Sequence, residues 1–386
     1  MIEHKPKIVF VLYTQGLEYD DRIRKEILYL NKAYDIEILV LTPKNAKEFG
    51  TTSYGVPYKS FSLISRKLLP SGKFTLIKSI EFFINIWKHI KKSDIIWTND
   101  CEPFLVPLLL RNKKQIWDLH EIPSAFTSNK ITKFIYKVIE NKCKLIIHAN
   151  SYRIDYLKES SVISNKKKHQ FLRNFPDNLL LEYSQKDSSY DSFINWLQGC
   201  EYIYLQGLQT EERYPIETID SIIEHGKYKC IVVGGFNESI KRTLTQKHGI
   251  NLMNEKVYFR GKVDQMNIKP YIDSSKFSIV LYEGTKPNNK YCEPNRMYLS
   301  LISDKPVIVG NNPPMRDIVN KYDLGISLKS YGECSNEIKQ SIDIIEYNYE
   351  KYCNNIRNNK KFLMWEAQFP VLDYIISILK MNNNDK

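Results

Sequence analysis

The sequence predicts an α/β protein of two doubly wound halves, each a parallel sheet wrapped in helices. Three observations carry this expectation. Apolar runs of four to six residues alternate with longer stretches of helical periodicity, the pattern of successive βαβ units. The alternation pauses at a polar stretch, 178–192, which contains Gln-Lys-Asp-Ser-Ser, and then restarts. A length of 386 residues suits two domains better than one, and 42% apolar residues are enough for two cores.

In order, the first strand is expected at 8–13, followed by a loop to Tyr19. A helix then runs from Asp20 or Asp21 to about Lys32, with either Asp suited to the N-cap and Ile23, Ile27, Leu28 and Leu30 as apolar positions. Strand 36–41, a polar connection, helix 74–92 and strand 95–97 follow. Helix 104–110, strand 115–118, helix 130–141, strand 145–148 and helix 152–158 complete the first half. The second half reads as strand 202–206, helix 215–225, strand 230–233, helix 238–248 and strand 257–259. Helix 266–274, strand 277–282, a helix from about Pro294 and strand 307–309 continue it. The domains expected are therefore Rossmann-like at 1–185 and 186–365, with a C-terminal helix at 366–386 that can pack back toward the first. In such sheets ligands bind at the carboxyl ends of strands where the strand order reverses, so a cleft between the halves is the expected site.

Composition narrows the classes. The first seven residues are polar, and the apolar run at 8–13 is much shorter than a signal-peptide core. No run approaches the ~20 apolar residues of a membrane span. Seven Cys, scattered and without a Cys-x-x-Cys pair, argue against a disulfide framework or zinc ribbon and for a reducing cytoplasm. The net charge of +12 asks for an acidic partner: nucleic acid, an anionic membrane face or a phosphorylated substrate. Lys and Arg are spread along the whole length, which argues against a nucleic-acid arm. The basic-aromatic region 66–92 has Arg66, Lys67, Lys73, Lys78, Lys88, Lys91 and Lys92 beside Phe82, Phe83 and Trp87. It fits either an anionic membrane surface or an amphipathic helix on its own sheet with solvated lysines.

Five stretches hold candidate site residues, each with a plain structural alternative. "QGLQTEERYPIE" (206–217) ends a strand in Gly207 and sets Arg213 just before a helix, where backbone and guanidinium can meet phosphate or form an ordinary turn. "VVGGFNE" (232–238) ends another strand in Gly234 and Gly235 without completing a dinucleotide fingerprint. "EYDDRIRKE" (18–26) places Arg22 either toward a cleft or in a pair with Glu26, four residues on. "WDLHEIP" (117–123) and "TNDCEP" (98–103) bring His120, Glu121, Asp100 and Glu102 to strand ends, where His can bind sugar hydroxyls or act as a base. None has the spacing of a metal site with a second His.

Together the motifs "DDRIRKE", "WDLHE", "FLRNFPD" (171–177), "GLQTEERYPIE" and "EPNRMYLSLISDKPVI" (293–308) occur in the order found in bacterial GT-B glycosyltransferases of the family 4 type, which the chain resembles over essentially its full length. The resemblance implies a retaining, metal-independent transferase using a nucleotide-diphosphate sugar, with no bound cofactor. Its acceptor would be a glycan or lipid diphosphate of a cell-surface polysaccharide such as capsule or lipopolysaccharide, at the inner face of the cell membrane. It places the donor in the second half, with Gly207, Arg213, Gly234, Gly235, Pro294, Asn295 and Arg296 near the nucleotide, and the acceptor in the first. His120 would lie near the transferred sugar, Arg22, Asp100 and Glu121 near the acceptor or cleft, and Asn174 in the loop joining the halves. The family's ribose-binding helix Glu corresponds to Leu299 and an upstream acid to Tyr291, so Glu293 is the candidate to take over part of that role. A nucleotide-sugar 2-epimerase of the same fold and a non-catalytic partner subunit are the alternatives.

Overall fold

The computed structural model describes residues 5–14, 16–42, 48–70, 74–110, 114–122, 127–182 and 184–381. They form two compact units, Met1–Arg173 with Gln368–Lys386, and Asn174–Ala367.

The first unit is built on an eight-stranded sheet. Its strands are β1 (Lys7–Tyr13), β2 (Asp35–Leu41), β3 (Phe49–Thr51), β4 (Pro57–Phe61), β5 (Ile95–Asn99), β6 (Lys114–Leu119), β7 (Leu145–His148) and β8 (His169–Phe171). The order is β3-β4-β2-β1-β5-β6-β7-β8, parallel except for the β3–β4 pair. Central strands such as β1 and β5 are almost wholly buried, as apolar runs covered on both faces should be. Strands β3 and β4 fall in what the sequence presents as a polar connection. "PYKSF" begins with Pro and buries one residue in five, so it pairs near an edge without an apolar signature. Asp20 caps the helix Asp21–Leu30 by accepting from the Ile23 amide. The C-terminal helix Phe369–Lys380 joins this unit: the Tyr29 hydroxyl donates to Asp373 Oδ1 at 2.6 Å, and the Tyr29 and Phe369 rings lie 4.7 Å apart.

The second unit has six parallel strands, β9 (Tyr202–Gln206), β10 (Lys229–Val233), β11 (Val257–Gly261), β12 (Phe277–Val280), β13 (Val307–Val309) and β14 (Gly325–Ser327). Their order, β11-β10-β9-β12-β13-β14, reverses between β9 and β12 as the first sheet reverses between β1 and β5. The polar stretch 178–192 lies inside this unit and carries the helix Asn178–Glu182 and the start of Tyr190–Leu197. Tyr190 and Phe193 bury themselves among Tyr202, Tyr258 and Tyr271, so aromatic packing makes a helix of a segment whose composition suggests a linker. The strand expected at 277–282 stops at Val280, where pairing with β13 ends. Between 309 and 366 the sequence reading assigns nothing, yet Pro313–Tyr322, Ser335–Tyr347 and Tyr349–Asn359 are helices. The middle one carries Ile338, Ile342 and Ile345 at i, i+4, i+7 spacing, buried against Ile219 and Ile222, so its helical signal is present in the sequence.

Candidate functional site

In the first unit the loops after β1, β5 and β6 converge on a buried charge lattice. Arg22, in the first turn of Asp21–Leu30, grips Asp118 with two hydrogen bonds, Nε to Oδ2 at 3.0 Å and Nη2 to Oδ1 at 2.7 Å. Its Nη1 donates to the Leu172 carbonyl at 2.7 Å, and Glu26 lies 3.0 Å from Nε. His120 is held from both sides: Nε2 lies 2.9 Å from Asp118 Oδ2 and Nδ1 3.3 Å from Asp100 Oδ2, while the His120 amide donates to Asp100 Oδ1 at 2.9 Å. Asp100 reaches it from a left-handed backbone position, φ 60°, which an Asp tolerates better than most residues. Arg153 donates to the His120 carbonyl.

The electrostatics follow from this packing. Burial alone would lower the His120 pKa, but Asp100 and Asp118 outweigh it and hold the imidazole well above the usual histidine range. Burial likewise opposes the ionised Asp118, and Arg22 and His120 hold it well below the usual carboxylate range. Glu26 is pushed well above that range by burial and then by the charge of Asp118. Arg22 and His120 thus face Asp100 and Asp118, each side favouring the other's charged form, while Glu26 is shifted toward its protonated form. Glu26, Asp118 and His120 each bring one ligating atom within 4.8 Å of the others, a spacing that fits a cation. Arg22, however, already occupies both Asp118 oxygens with its own positive charge. Behind the lattice, His148 Nε2 and His169 Nδ1 lie 2.9 Å apart, and His169 Nε2 lies 3.0 Å from Glu140. Burial and the neighbouring His169 hold His148 well below the usual range.

The second unit places its cations differently. Gly207 follows β9 at φ 95° and donates to the Val233 carbonyl at 2.8 Å. A Cβ there would sit 2.7 Å from Arg213 Nη1 and 2.8 Å from Arg296 Nη1, so only Gly lets both guanidiniums close over the strand end. Arg213 and Arg296 also flank the Tyr282 ring, with Cζ 5.0 and 4.7 Å from its centroid. Arg296 is 9% exposed and donates Nη1 to the Gln206 carbonyl at 2.7 Å, while its buried Nε has no hydrogen-bond partner. Among the described residues neither guanidinium has a carboxylate within 4 Å. Burial, then repulsion from Arg296, lowers the Arg213 pKa from its ordinary value. Pro294 precedes the helix Asn295–Ile302, whose first amides have no side-chain cap. Two close cations, an uncapped helix start and a Tyr ring therefore meet where the strand order reverses, a constellation suited to a diphosphate.

The structure brings Gly207, Arg213, Pro294, Asn295 and Arg296 to one place. Gly234 supports them from below: a Cβ there would lie 2.4 Å from the Gly207 carbonyl oxygen, and one at Gly235 would lie 2.7 Å from Leu208, so both glycines serve the packing of adjacent loops. Glu293 accepts a hydrogen bond from the Tyr298 hydroxyl. Leu299 packs beside Tyr271, Ile268 and Ile272, surroundings in which a carboxylate would be poorly solvated. Arg22, Asp100 and His120 share the first unit's lattice, with Arg22 enclosed and paired; Glu121 beside it is exposed, and Asn174 is the first residue of the second unit. Asp118, Gln206 and Tyr282 figure in the sequence only as the ends of expected strands. The one signal for Asp118 was an acid closing an otherwise apolar strand; nothing local marks the other two.

No family model and no curated protein sequence matches the chain. Solved structures do share its fold. Sucrose-phosphate synthase from Thermosynechococcus elongatus superposes with a TM-score of 0.74 at 15% identity, covering 97% of this chain and 99% of its own. The trehalose-6-phosphate protein of E. coli bound with UDP-2-fluoro glucose gives 0.72 at 11% identity, covering 97% and 99%. HepE of Anabaena in complex with UDP and glucose gives 0.71 at 14% identity, covering 96% and 99%. The chain therefore has the two-domain Rossmann-like architecture of the GT-B fold.

Proposed function

We propose that this protein is a glycosyltransferase using a UDP-linked sugar, with the donor held by the second unit. The observation that carries the reading is the Arg213–Arg296 pair, two neighbouring guanidiniums beside Gly207 with no carboxylate partner among the described residues. Such a pair is complementary to a diphosphate, and it stabilises the charge that grows on a departing nucleoside diphosphate. The UDP and UDP-sugar complexes of proteins sharing the fold support the choice of nucleotide. The Asn295–Ile302 amides would complete the phosphate contacts, and Glu293, steadied by Tyr298, would stand at the mouth of that helix. The first unit would bind the acceptor, with Asp100 and His120 as hydroxyl-binding groups. We further propose a glycan or lipid-linked acceptor of cell-surface polysaccharide synthesis, transfer with retention and no required metal.

The test is UDP binding by calorimetry to the full chain and to Arg213→Ala and Arg296→Ala. Wild-type binding weakened in both variants is expected; a wild-type protein that binds no UDP overturns the donor assignment. Turnover then separates the enzymes. UDP release from a UDP-sugar that depends on an added acceptor supports transfer, whereas conversion of the sugar nucleotide without acceptor would make the protein an epimerase. UDP binding without either reaction, across a panel of UDP-sugars and acceptors, would make it a non-catalytic partner.

A further inference from the structure

The helix Thr75–Ile90 is apolar on two sides. Its inner side, Phe82, Ile86 and Ile90, packs on Val9, Val11 and Ile96 of the first sheet. Phe83 and Trp87 lean on the same core, so the aromatic residues that give 66–92 its character in the sequence are mostly inward. The outer side is different: Ile77, Ile80 and Ile84 recur at helical spacing and are 50%, 43% and 65% exposed. A surface helix ordinarily has polar residues there. The neighbouring short helix Ile64–Leu68 adds Ile64 and Leu68, 65% and 77% exposed, and is fixed beside the stripe because Glu81 accepts from the Ile64 and Ser65 amides at 2.6 and 2.9 Å.

The segment that carries this apolar face is strongly basic. Segment 64–92 contains seven Lys or Arg and a single acid, Glu81, whose carboxylate is engaged at the Ile64 cap. Lys88, Lys91 and Lys92 continue from the C-terminal end of the stripe; Lys73 lies outside the described residues. Among the described residues no single helix is long and apolar enough to cross a membrane.

We propose that this face docks the protein on an anionic lipid bilayer, with Ile64, Leu68, Ile77, Ile80 and Ile84 entering the interface and the lysines meeting acidic headgroups. Exposed aliphatic side chains on a strongly basic segment are what an anionic interface binds. A second copy of the chain fits poorly, because it would bring two faces of the same sign together. The inference is independent of the donor assignment, since it uses no residue of the second unit.

The experiment is co-sedimentation of the full chain with vesicles of phosphatidylcholine alone or with phosphatidylglycerol, at low and high salt. Wild type should bind the anionic vesicles at least tenfold more tightly, and salt should weaken binding. The I80E/I84E pair should reduce binding more than tenfold. Lys88→Gln with Lys91→Gln and Lys92→Gln should reduce it about a hundredfold at low salt, at roughly a kcal/mol-scale fivefold per lysine. All these side chains are exposed and, among the described residues, Lys91 alone of them meets a partly buried ring, Trp87 at 5.0 Å, so the thermal midpoint should change little and UDP binding should stay unchanged, showing that the variants are folded. Equal binding to neutral vesicles, or variants that bind as wild type, overturns the proposal. So does a concentration-dependent dimer abolished by I80E/I84E without vesicle binding, which would make the face a protein interface.

Discussion

Arg22 and Arg296 are each more than nine-tenths buried near the carboxyl edge of a parallel sheet, but their surroundings are opposite. Arg22 has Asp118 on two nitrogens and Glu26 at 3.0 Å. Arg296 has one backbone carbonyl, a Tyr ring and a second arginine. Burying a charge is costly unless it is paired, so a lattice that is already balanced serves the fold, and an unbalanced pair points to a charge supplied from outside. The first unit thus pairs Arg22 and His120 with carboxylates, while in the second neither Arg213 nor Arg296 has a carboxylate partner among the described residues.

The sharpest way to break this contrast is to remove the counter-charge in the first unit. Asp118→Ala leaves Arg22 and His120 without their shared partner and should destabilise that unit by about 3–5 kcal/mol. Denaturant unfolding followed by tryptophan fluorescence reads this, since Trp97 and Trp117 are buried in the first sheet. Arg296→Met should do the reverse. With no ion pair lost and repulsion on Arg213 relieved, stability without ligand should change by less than about 1 kcal/mol, while UDP affinity falls about 10- to 100-fold, the worth of a charged hydrogen bond. A loss of stability as large as that of Asp118→Ala would show that Arg296 is structural after all.

Gly207→Ala tests whether close approach matters. A side chain at φ 95°, against both guanidiniums, should cost about 1–2 kcal/mol of stability. It should also weaken UDP binding by pushing the arginines apart, measured by the same calorimetry. The smallest effect expected is in the pH response of the first unit. The folded-state pKa of His120 is raised, so its contribution is complete below the unfolded value of about 6.5 and is lost as pH rises through the folded value. Between those pH values the thermal midpoint of the wild type should fall more steeply than that of His120→Gln. Parallel profiles would mean that the ring gains no charge from Asp100 and Asp118.

Reading the sequence alone succeeds where the signal is local and strong. The runs at 8–13, 145–148 and 202–206 form strands because covered parallel strands demand continuous apolar residues. It fails where pairing or packing makes the element. β4 exists because it has β2 to pair with, and Tyr190–Leu197 because aromatic rings close around it. The candidate site divides in the same way. Gly207, Arg213 and Arg296 stand out because they lie at strand and helix ends, although Gly234 and Gly235, at another strand end, turn out to serve loop packing. Asp118 does not, since an acid closing an apolar strand shows its meaning only when Arg22, 96 residues earlier in the chain, arrives on it.

The sequence by itself determined two doubly wound halves, the helix starts that bring cations to strand ends, and the excess of positive charge. Tertiary structure decided which of those cations are neutralised. Arg22 and Arg213 are alike as sequence, each an arginine near a helix start after an early strand, and each has acids close by in the chain. Coulombic pairing falls off within a few ångströms, so only the packing of distant strands could give one of them a carboxylate and leave the other facing Arg296.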